Sequence, residues 1–154
     1  MFRAFAIICS SLCFIGLFCS NNAAVTEEQK TQVIGLAETF GQMCRKDNAV
    51  TEDDFAAMRA HKIPTGPNAP CFIACVLRKA TLMGDDGKIR KEQALELGKT
   101  IFQESQLKKI DDFLNFCAQV NTVNVSDGSN GCERAMLAYK CLKENASKYG
   151  FGDF

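Results

Sequence analysis

The stretch Cys71-Phe72-Ile73-Ala74-Cys75 decides how this chain folds, because it places two cysteines four positions apart in an apolar segment. The segment from about Pro70 to Met83 has a helical pattern, and residues four apart share one face of a helix. Each thiol can therefore clamp a different neighbouring helix. A bond between Cys71 and Cys75 themselves would need strained geometry and is disfavoured.

The chain contains nine cysteines in 154 residues, and its N-terminus explains the odd number. Arg3 precedes an uncharged apolar run over residues 4–18 and then small and polar residues, which is the pattern of a secretory signal peptide. We predict that residues 1–24 are a signal peptide that is removed. The run is short for the alternative, a retained membrane anchor. The cysteines that remain are Cys44, Cys71, Cys75, Cys117, Cys132 and Cys141.

An even set of cysteines in a small exported chain predicts three disulfides and a secreted, extracellular protein. Six cysteines can pair in many ways, and their spacing alone does not select among them. Residues 25–154 contain no further apolar run long enough for a bilayer, so we expect one soluble domain. Eighteen basic and eighteen acidic residues leave no net charge, which speaks against a nucleic-acid-binding surface.

The pattern after residue 24 predicts an all-α fold of six short helices. Thr26-Glu27-Glu28-Gln29 has the form of a capping box, and Thr51 opens a second helix with acidic residues in its first turn. A connector with two prolines, residues 61–67, follows that helix. Asn130 and Glu133 form a cap-like pair for the last helix. The third to sixth helices are predicted over residues 70–83, 89–102, 107–120 and 130–145, with Gly84 ending the third and a turn at 85–87.

The cysteine pattern resembles that of insect odorant-binding proteins of the pheromone-binding type. The intervals between the six cysteines are 26, 3, 41, 14 and 8 residues, and the short second and last intervals are the most typical. The resemblance extends to Thr26-Glu27-Glu28-Gln29, the Met83-to-Ile89 turn and the closing Tyr139-Lys140-Cys141. It implies an all-helical fold around an apolar ligand cavity. It also implies the pairs Cys44–Cys75, Cys71–Cys132 and Cys117–Cys141.

The functional prediction that follows is a secreted carrier of small hydrophobic molecules, such as odorants or pheromones. Tyr139 could orient a polar ligand group through its hydroxyl, and Phe151 is placed against the ligand by the resemblance. Any one of these side chains could instead be plain core. The predicted ligand contacts are Phe55, Met58, Phe72, Val76, Leu95, Ile110, Phe113, Leu114, Met136, Tyr139 and Phe151.

The same reading predicts no catalysis, no cofactor and no metal site. His61 is the single histidine, and it lies in the proline-containing connector without a catalytic setting. We expect it to be solvated, with a pH-sensitive contact as the alternative. Expected partners are small hydrophobic ligands, an olfactory receptor and, weakly, a second copy, and no nucleic acid. The rival functions are a non-olfactory carrier, a secreted enzyme and a disulfide-stapled toxin or inhibitor.

The C-terminal segment is expected to fold back over the cavity as a lid. Gly150 and Gly152 would supply the backbone angles for the return, and Asp153 with the terminal carboxylate would hold the lid as anions. The lid would then open in acid. The alternative is a frayed terminus with no role.

Two tripeptides, at Asn124 and Asn145, match the N-glycosylation pattern. Such tripeptides also arise by chance, and the sequence alone does not say whether either is modified.

We predict that the mature protein contains no free thiol. Alkylation of the unfolded, unreduced protein should label no cysteine, because the signal peptide carries Cys9, Cys13 and Cys19 away and the other six pair. The check is the intact mass after alkylation, with a reduced sample as the control that labels fully. Labelling of two or more cysteines would contradict this prediction.

Overall fold

The computed structural model describes residues 24–152, and within that range it is a bundle of helices. The predicted signal peptide, up to residue 23, and residues 153–154 lie outside the described range. There is no β-strand among the described residues, where a single antiparallel bridge joins Met83 to Ile89. The six α-helices are α1 Glu27–Cys44, α2 Glu52–Arg59, α3 Ala69–Lys79, α4 Lys91–Lys99, α5 Glu104–Ala118 and α6 Cys132–Asn145. The prediction of an all-α fold is confirmed.

Three disulfides hold the helices together, in the pairs that the resemblance implies. Cys75 of α3 bonds to Cys44, the last residue of α1, and Cys71 of α3 bonds to Cys132, the first residue of α6. The third disulfide joins Cys117 of α5 to Cys141 of α6. In the chain-entropy account each such link adds roughly 3 to 4 kcal/mol by restricting the unfolded chain.

At the starts of α1, α2 and α6, side chains accept hydrogen bonds from the first free backbone N–H groups. Thr26 and Gln29 form the predicted capping box of α1. The start of α6 differs from the prediction, because the carboxylate of Asp127 accepts from the N–H groups of Cys132 at 2.6 Å and Glu133 at 3.1 Å. The predicted cap from Asn130 is therefore wrong, and Glu133 turns back to bond Ser126 instead.

Two helices end in left-handed residues that are not glycine. Thr81 (φ 61°) follows α3, where the N–H of Leu82 donates to the carbonyl of Leu77 and closes a Schellman motif. His61 (φ 56°) occupies the same position after α2. The third helix thus ends at Lys79, four residues before the predicted end, and His61 is exposed and helps to end a helix.

A buried pair of glutamine side chains joins the start of α1 to the start of α5. The amide Nε2 of Gln29 donates to Oε1 of Gln106 at 2.9 Å, and Nε2 of Gln106 donates back to Oε1 of Gln29 at 3.1 Å. Each amide also bonds backbone, at Ile101 and Ala24 respectively. Both side chains are buried, and because every polar atom has a partner the pair avoids the penalty of an unsatisfied buried group.

A second buried polar side chain, Asp54, holds the connector between α2 and α3. Its Oδ1 accepts from the N–H groups of Gly66 at 2.8 Å and Thr65 at 3.2 Å, while Oδ2 accepts from the hydroxyl of Thr51 at 2.8 Å. The N–H group of Gly66 and then the Thr51 hydroxyl lower the pKa of Asp54 below its ordinary value of 3.8. The ionised carboxylate thus both caps α2 and fixes the connector.

The apolar side chains form two clusters. The α3 cluster lies among the end of α1, α2, α3 and the first half of α6, and its buried members include Phe55, Phe72, Met83 and Ala135. The tail cluster lies among α4, α5, the second half of α6 and the residues after it. Its buried members are Ile110, Phe113, Cys117, Ala146 and Phe151. Helix α6 contributes to both clusters. Among residues 24–152, no helix combines the length and apolar character that a membrane crossing needs.

Replacing Gln106 with alanine should lower the free energy of unfolding by about 1–3 kcal/mol, because the amide of Gln29 loses a buried partner. The double variant of Gln29 and Gln106 should cost less than the sum of the two single variants, since no orphaned amide remains. Chemical denaturation of all three measures the coupling. Gln42→Ala, at an exposed site on α1, is the control and should change stability by less than about 0.5 kcal/mol. Strict additivity of the two changes would contradict the pairing.

Replacing Asp54 with asparagine should destabilise the protein at neutral pH by about 1 kcal/mol, the usual effect of losing a helix cap. Because the folded-state pKa of Asp54 is lowered, its stabilising contribution is present above pH 3.8 and is lost as the pH falls through the folded-state value. The difference between wild type and variant should therefore shrink in acid. Denaturation from neutral pH to below pH 3.8 measures it, with Asp53→Asn as the exposed neighbour control. A difference that stays constant with pH would disprove this account.

Candidate functional site

The predicted ligand contacts divide between the two clusters. Phe55 and Phe72 are buried in the α3 cluster, where Met58, Val76, Met136 and Tyr139 pack against them. The rest lie in the tail cluster: Ile110, Phe113 and Phe151 are buried, and Leu95 and Leu114 are partly buried. The structure therefore groups these residues in two places rather than around one large space.

A small, partly enclosed cavity lies between the two clusters. Its volume is about 40 Å³, and its wall is almost entirely apolar. Sites for drug-sized ligands usually have about 300–1,000 Å³, whereas this volume could hold only a few water molecules. The cavity is lined by Leu77, Leu82, Ile89, Ala94, Leu114, Cys117, Ala118, Ala138 and Leu142.

The sequence predicts an apolar ligand cavity, and the cavity found here is apolar but small. Of the predicted contacts only Leu114 lines the cavity. The prediction favoured phenylalanine and methionine, and those side chains are packed into the clusters on either side. The lining comes instead from leucines and alanines at helical spacing, such as Leu114 with Ala118 and Ala138 with Leu142. That spacing was visible in the sequence, but it does not tell which apolar stripe faces the gap.

The C-terminal segment packs over the tail cluster. The ring of Phe151 is 5 % exposed and stacks on Phe113 with centroids 5.0 Å apart, and it meets Phe102 edge-on at 6.1 Å. The ring of Tyr149 also packs on Phe113, with centroids 4.9 Å apart. Such aromatic pairs add about 0.5–1.5 kcal/mol each beyond the area they bury. Phe151 is therefore part of the core, and the partly buried Tyr149 packs beside it.

The reversal that brings Phe151 inward depends on Gly150. Its φ of 84° is in the left-handed region, and the N–H of Phe151 then donates to the carbonyl of Ala146 at 3.0 Å. The wall of the small cavity and the tail cluster share Leu114, Cys117 and Leu142. Phe151 does not itself line the cavity, but it packs in the same cluster as these three residues.

Tyr139 is held away from the small cavity, in the α3 cluster. Its hydroxyl donates to the carbonyl of Lys62 in the connector, at 3.4 Å. Burial raises the pKa of Tyr139 above its ordinary value of 10.0, so the hydroxyl keeps its proton at neutral pH. The oxygen retains lone pairs that can accept a further hydrogen bond.

A larger concavity of about 540 Å³ lies on the surface beside two disulfides, but it does not suit an apolar ligand. It is open to solvent and mostly polar, with Arg78 and Asp85 in its wall. The guanidinium of Arg78 is engaged there by the carbonyls of Ser129 at 2.9 Å and Asn130 at 2.7 Å. We therefore take the small apolar cavity and the tail cluster beside it as the candidate site.

Comparison with known proteins is consistent with this architecture. Among solved structures, odorant-binding protein dmelOBP28a from Drosophila melanogaster superposes with a TM-score of 0.63 at 22% identity, covering 78% of this chain and 97% of that one. In sequence, the chain is 24% identical over 139 residues to general odorant-binding protein 19d of Drosophila melanogaster, with 90% of each covered. It is 22% identical over 107 residues to odorant-binding protein 10 of Aedes aegypti, covering 68% of this chain and 69% of that one.

A family model described as the PBP/GOBP family matches residues 23–145. That match covers well over half of the chain and includes all six cysteines of the disulfides. The chain belongs to the PBP/GOBP family.

Proposed function

We propose that the chain is a secreted carrier that binds small hydrophobic molecules in the space between the tail cluster and the α3 cluster. The observation that carries this proposal is the small apolar cavity whose wall continues into the tail cluster, where Phe151 is buried. The relatives named as odorant-binding proteins support the same ligand class. The work is binding and release, without chemistry on the ligand.

The ligand is expected to enter by displacing the C-terminal segment. Residues 146–152 contain no cysteine, so the segment is held without a covalent link, whereas α5 and α6 beneath it are joined by Cys117–Cys141. When Phe151 leaves Phe113, the small cavity and the vacated ring position become one apolar space. This segment is the lid that the family resemblance implies. Phe151 gives way when the ligand enters and then closes over it.

Two lysines flank the segment and support its retention by charge. A Cβ placed on Gly152 would lie 3.1 Å from Nζ of Lys30, and one placed on Gly150 would lie 3.7 Å from Nζ of Lys109. Asp153 follows directly in the sequence, outside the described residues. Attraction between its carboxylate and the two ammonium groups would favour the closed lid, and protonation of the carboxylate in acid would weaken it.

The affinity should be modest and reversible. Burying about ten methylene groups gives about 8 kcal/mol, from which several kcal/mol are lost to immobilisation of the ligand. Because the ligand enters only after the C-terminal segment has moved, the apparent affinity is reduced further, in proportion to the fraction of protein molecules in which the segment is displaced. This range suits a carrier that must also release its ligand.

The finer parts of the proposal concern where the protein works. Three disulfides fit an oxidising, extracellular location after removal of residues 1–24. On the basis of the family resemblance, we also propose that the ligand is released to an olfactory receptor and that two copies of the chain pair weakly. Transport in a secretion unrelated to smell would use the same site, and the tissue of expression distinguishes the two.

The role of the C-terminal segment as a lid is tested with the Phe151→Ala variant of the mature secreted protein. A naphthylamine probe should bind wild type with a gain of fluorescence and be displaced by long-chain alcohols, esters or aldehydes. In the variant the probe should dissociate about tenfold faster, because the closed position of the segment loses about 1.4 kcal/mol of stabilisation by Phe151. Stopped-flow displacement measures the rate, and deletion of residues 149–154 should produce at least the same change.

Met43→Ala is the control, because Met43 is a large apolar side chain of α1 that is 51 % exposed and belongs to neither cluster. Its dissociation rate should stay near that of wild type. Unchanged release from both tail variants would disprove the lid while leaving the carrier intact. Probe binding that is equally strong in the reduced, unfolded chain would argue against any formed site.

A further inference from the structure

We propose that Asn124 is the N-glycosylation site of the secreted chain and that Asn145 stays unmodified. The proposal rests on the secretion proposed above, because the modifying enzyme acts only on chains that enter the secretory pathway. Both residues begin an Asn-x-Ser tripeptide, Asn124-Val125-Ser126 and Asn145-Ala146-Ser147. The two tripeptides match the same sequence pattern, and only their positions in the fold distinguish them.

Asn124 lies in a loop that is open to solvent. It follows the 3-10 turn Gln119–Thr122, has no regular secondary structure, and is exposed. Its side chain has no hydrogen-bond partner within the part of the chain that the structure describes. An oligosaccharide on its Nδ2 would therefore replace no contact of the fold.

The loop around Asn124 is fixed on both sides, so a glycan at its tip would not have to be accommodated by refolding. On one side, the buried guanidinium of Arg134 bonds the carbonyls of Val120 and Val123, the second at 3.0 Å. On the other, the carboxylate of Glu133 accepts from the N–H of Ser126 at 2.9 Å and from its hydroxyl.

The surface beside Asn124 also favours a covering sugar. Val123 is one of the few large apolar side chains that the fold leaves exposed, at 44 %. A bulky, solubilising oligosaccharide on the next residue would shield it from water and from other chains.

Asn145 is in the opposite situation. Its side chain is 9 % exposed, its Nδ2 donates to the carbonyl of Cys141 at 2.9 Å, and its Oδ1 accepts from Nζ of Lys148 at 2.9 Å. The nitrogen that would carry the sugar thus points into the end of α6, beside the Cys117–Cys141 disulfide. A chain glycosylated there could not close this part of the tail cluster.

The reaction is a group transfer. Nδ2 of Asn124 forms a bond to the anomeric carbon of an oligosaccharide carried on a lipid diphosphate, the bond from that carbon to the diphosphate oxygen breaks, and the amide loses one proton. The hydroxyl at the third position of the tripeptide is required for recognition. In the folded chain this hydroxyl, on Ser126, is bound by Glu133, so transfer at Asn124 requires only that this exposed loop open, whereas transfer at Asn145 would require the end of α6 to unfold.

The test expresses the full chain, residues 1–154, in cultured eukaryotic cells and examines the protein in the medium. We expect a mass above that of the processed polypeptide, removed by a peptide N-glycosidase that leaves aspartate at position 124. Asn124→Gln should abolish the added mass, whereas Asn145→Gln should retain it. Ser126→Thr should also retain it, because the hydroxyl is kept.

Three outcomes would overturn the proposal. They are secreted wild type without added mass, aspartate found at position 145 after deglycosylation, and an unchanged mass shift in Asn124→Gln. Probe binding by the same secreted protein reports on the carrier function independently. An unglycosylated secreted protein that binds the probe would leave the carrier in place, and a glycosylated one that does not bind would leave only the modification site.

Discussion

Two covalent bonds on one face of α3 are the constraint on which the rest of the fold depends. Cys75 fixes the end of α1 and Cys71 fixes the start of α6, so a helix of eleven residues positions two longer ones. Because its first residue is fixed to α3, α6 runs from the α3 cluster into the tail cluster and forms one wall of the gap between them. A cavity at this place is a consequence of that geometry.

The α3 cluster and the tail cluster are held by different kinds of interaction, and this difference predicts the side on which a ligand enters. The α3 cluster is bounded by two disulfides and by the ionised Asp54, which holds the connector over it. The outer side of the tail cluster is held by the stacking of Tyr149 and Phe151 on Phe113. Since aromatic contacts of about 1 kcal/mol open far more readily than covalent bonds, a ligand should enter on the tail side.

The sequence predicted what is local and missed what depends on distant partners. The capping box at Thr26, the start of α2 and the turn at 85–87 follow from neighbouring residues, and all three are present. The end of α3 was missed because Thr81 adopts a conformation that glycine usually signals. The Gln29–Gln106 pair was missed because its partners are 77 residues apart, and polar side chains are normally exposed.

The candidate site shows the same limit. Helical spacing predicted that Phe113 and Leu114 point inward, and the resemblance placed Phe151 against the ligand, but packing decides which of them face empty space. Here the large rings fill their own cluster, and smaller leucines and alanines border the cavity. In the proposed mechanism, ligand binding is coupled to the position of the C-terminal segment. A ligand enters only after Phe151 has moved and is retained when the segment closes over it, so it shifts the segment by as much as its affinity for the two positions differs. The reverse also holds, and anything that opens the segment promotes release.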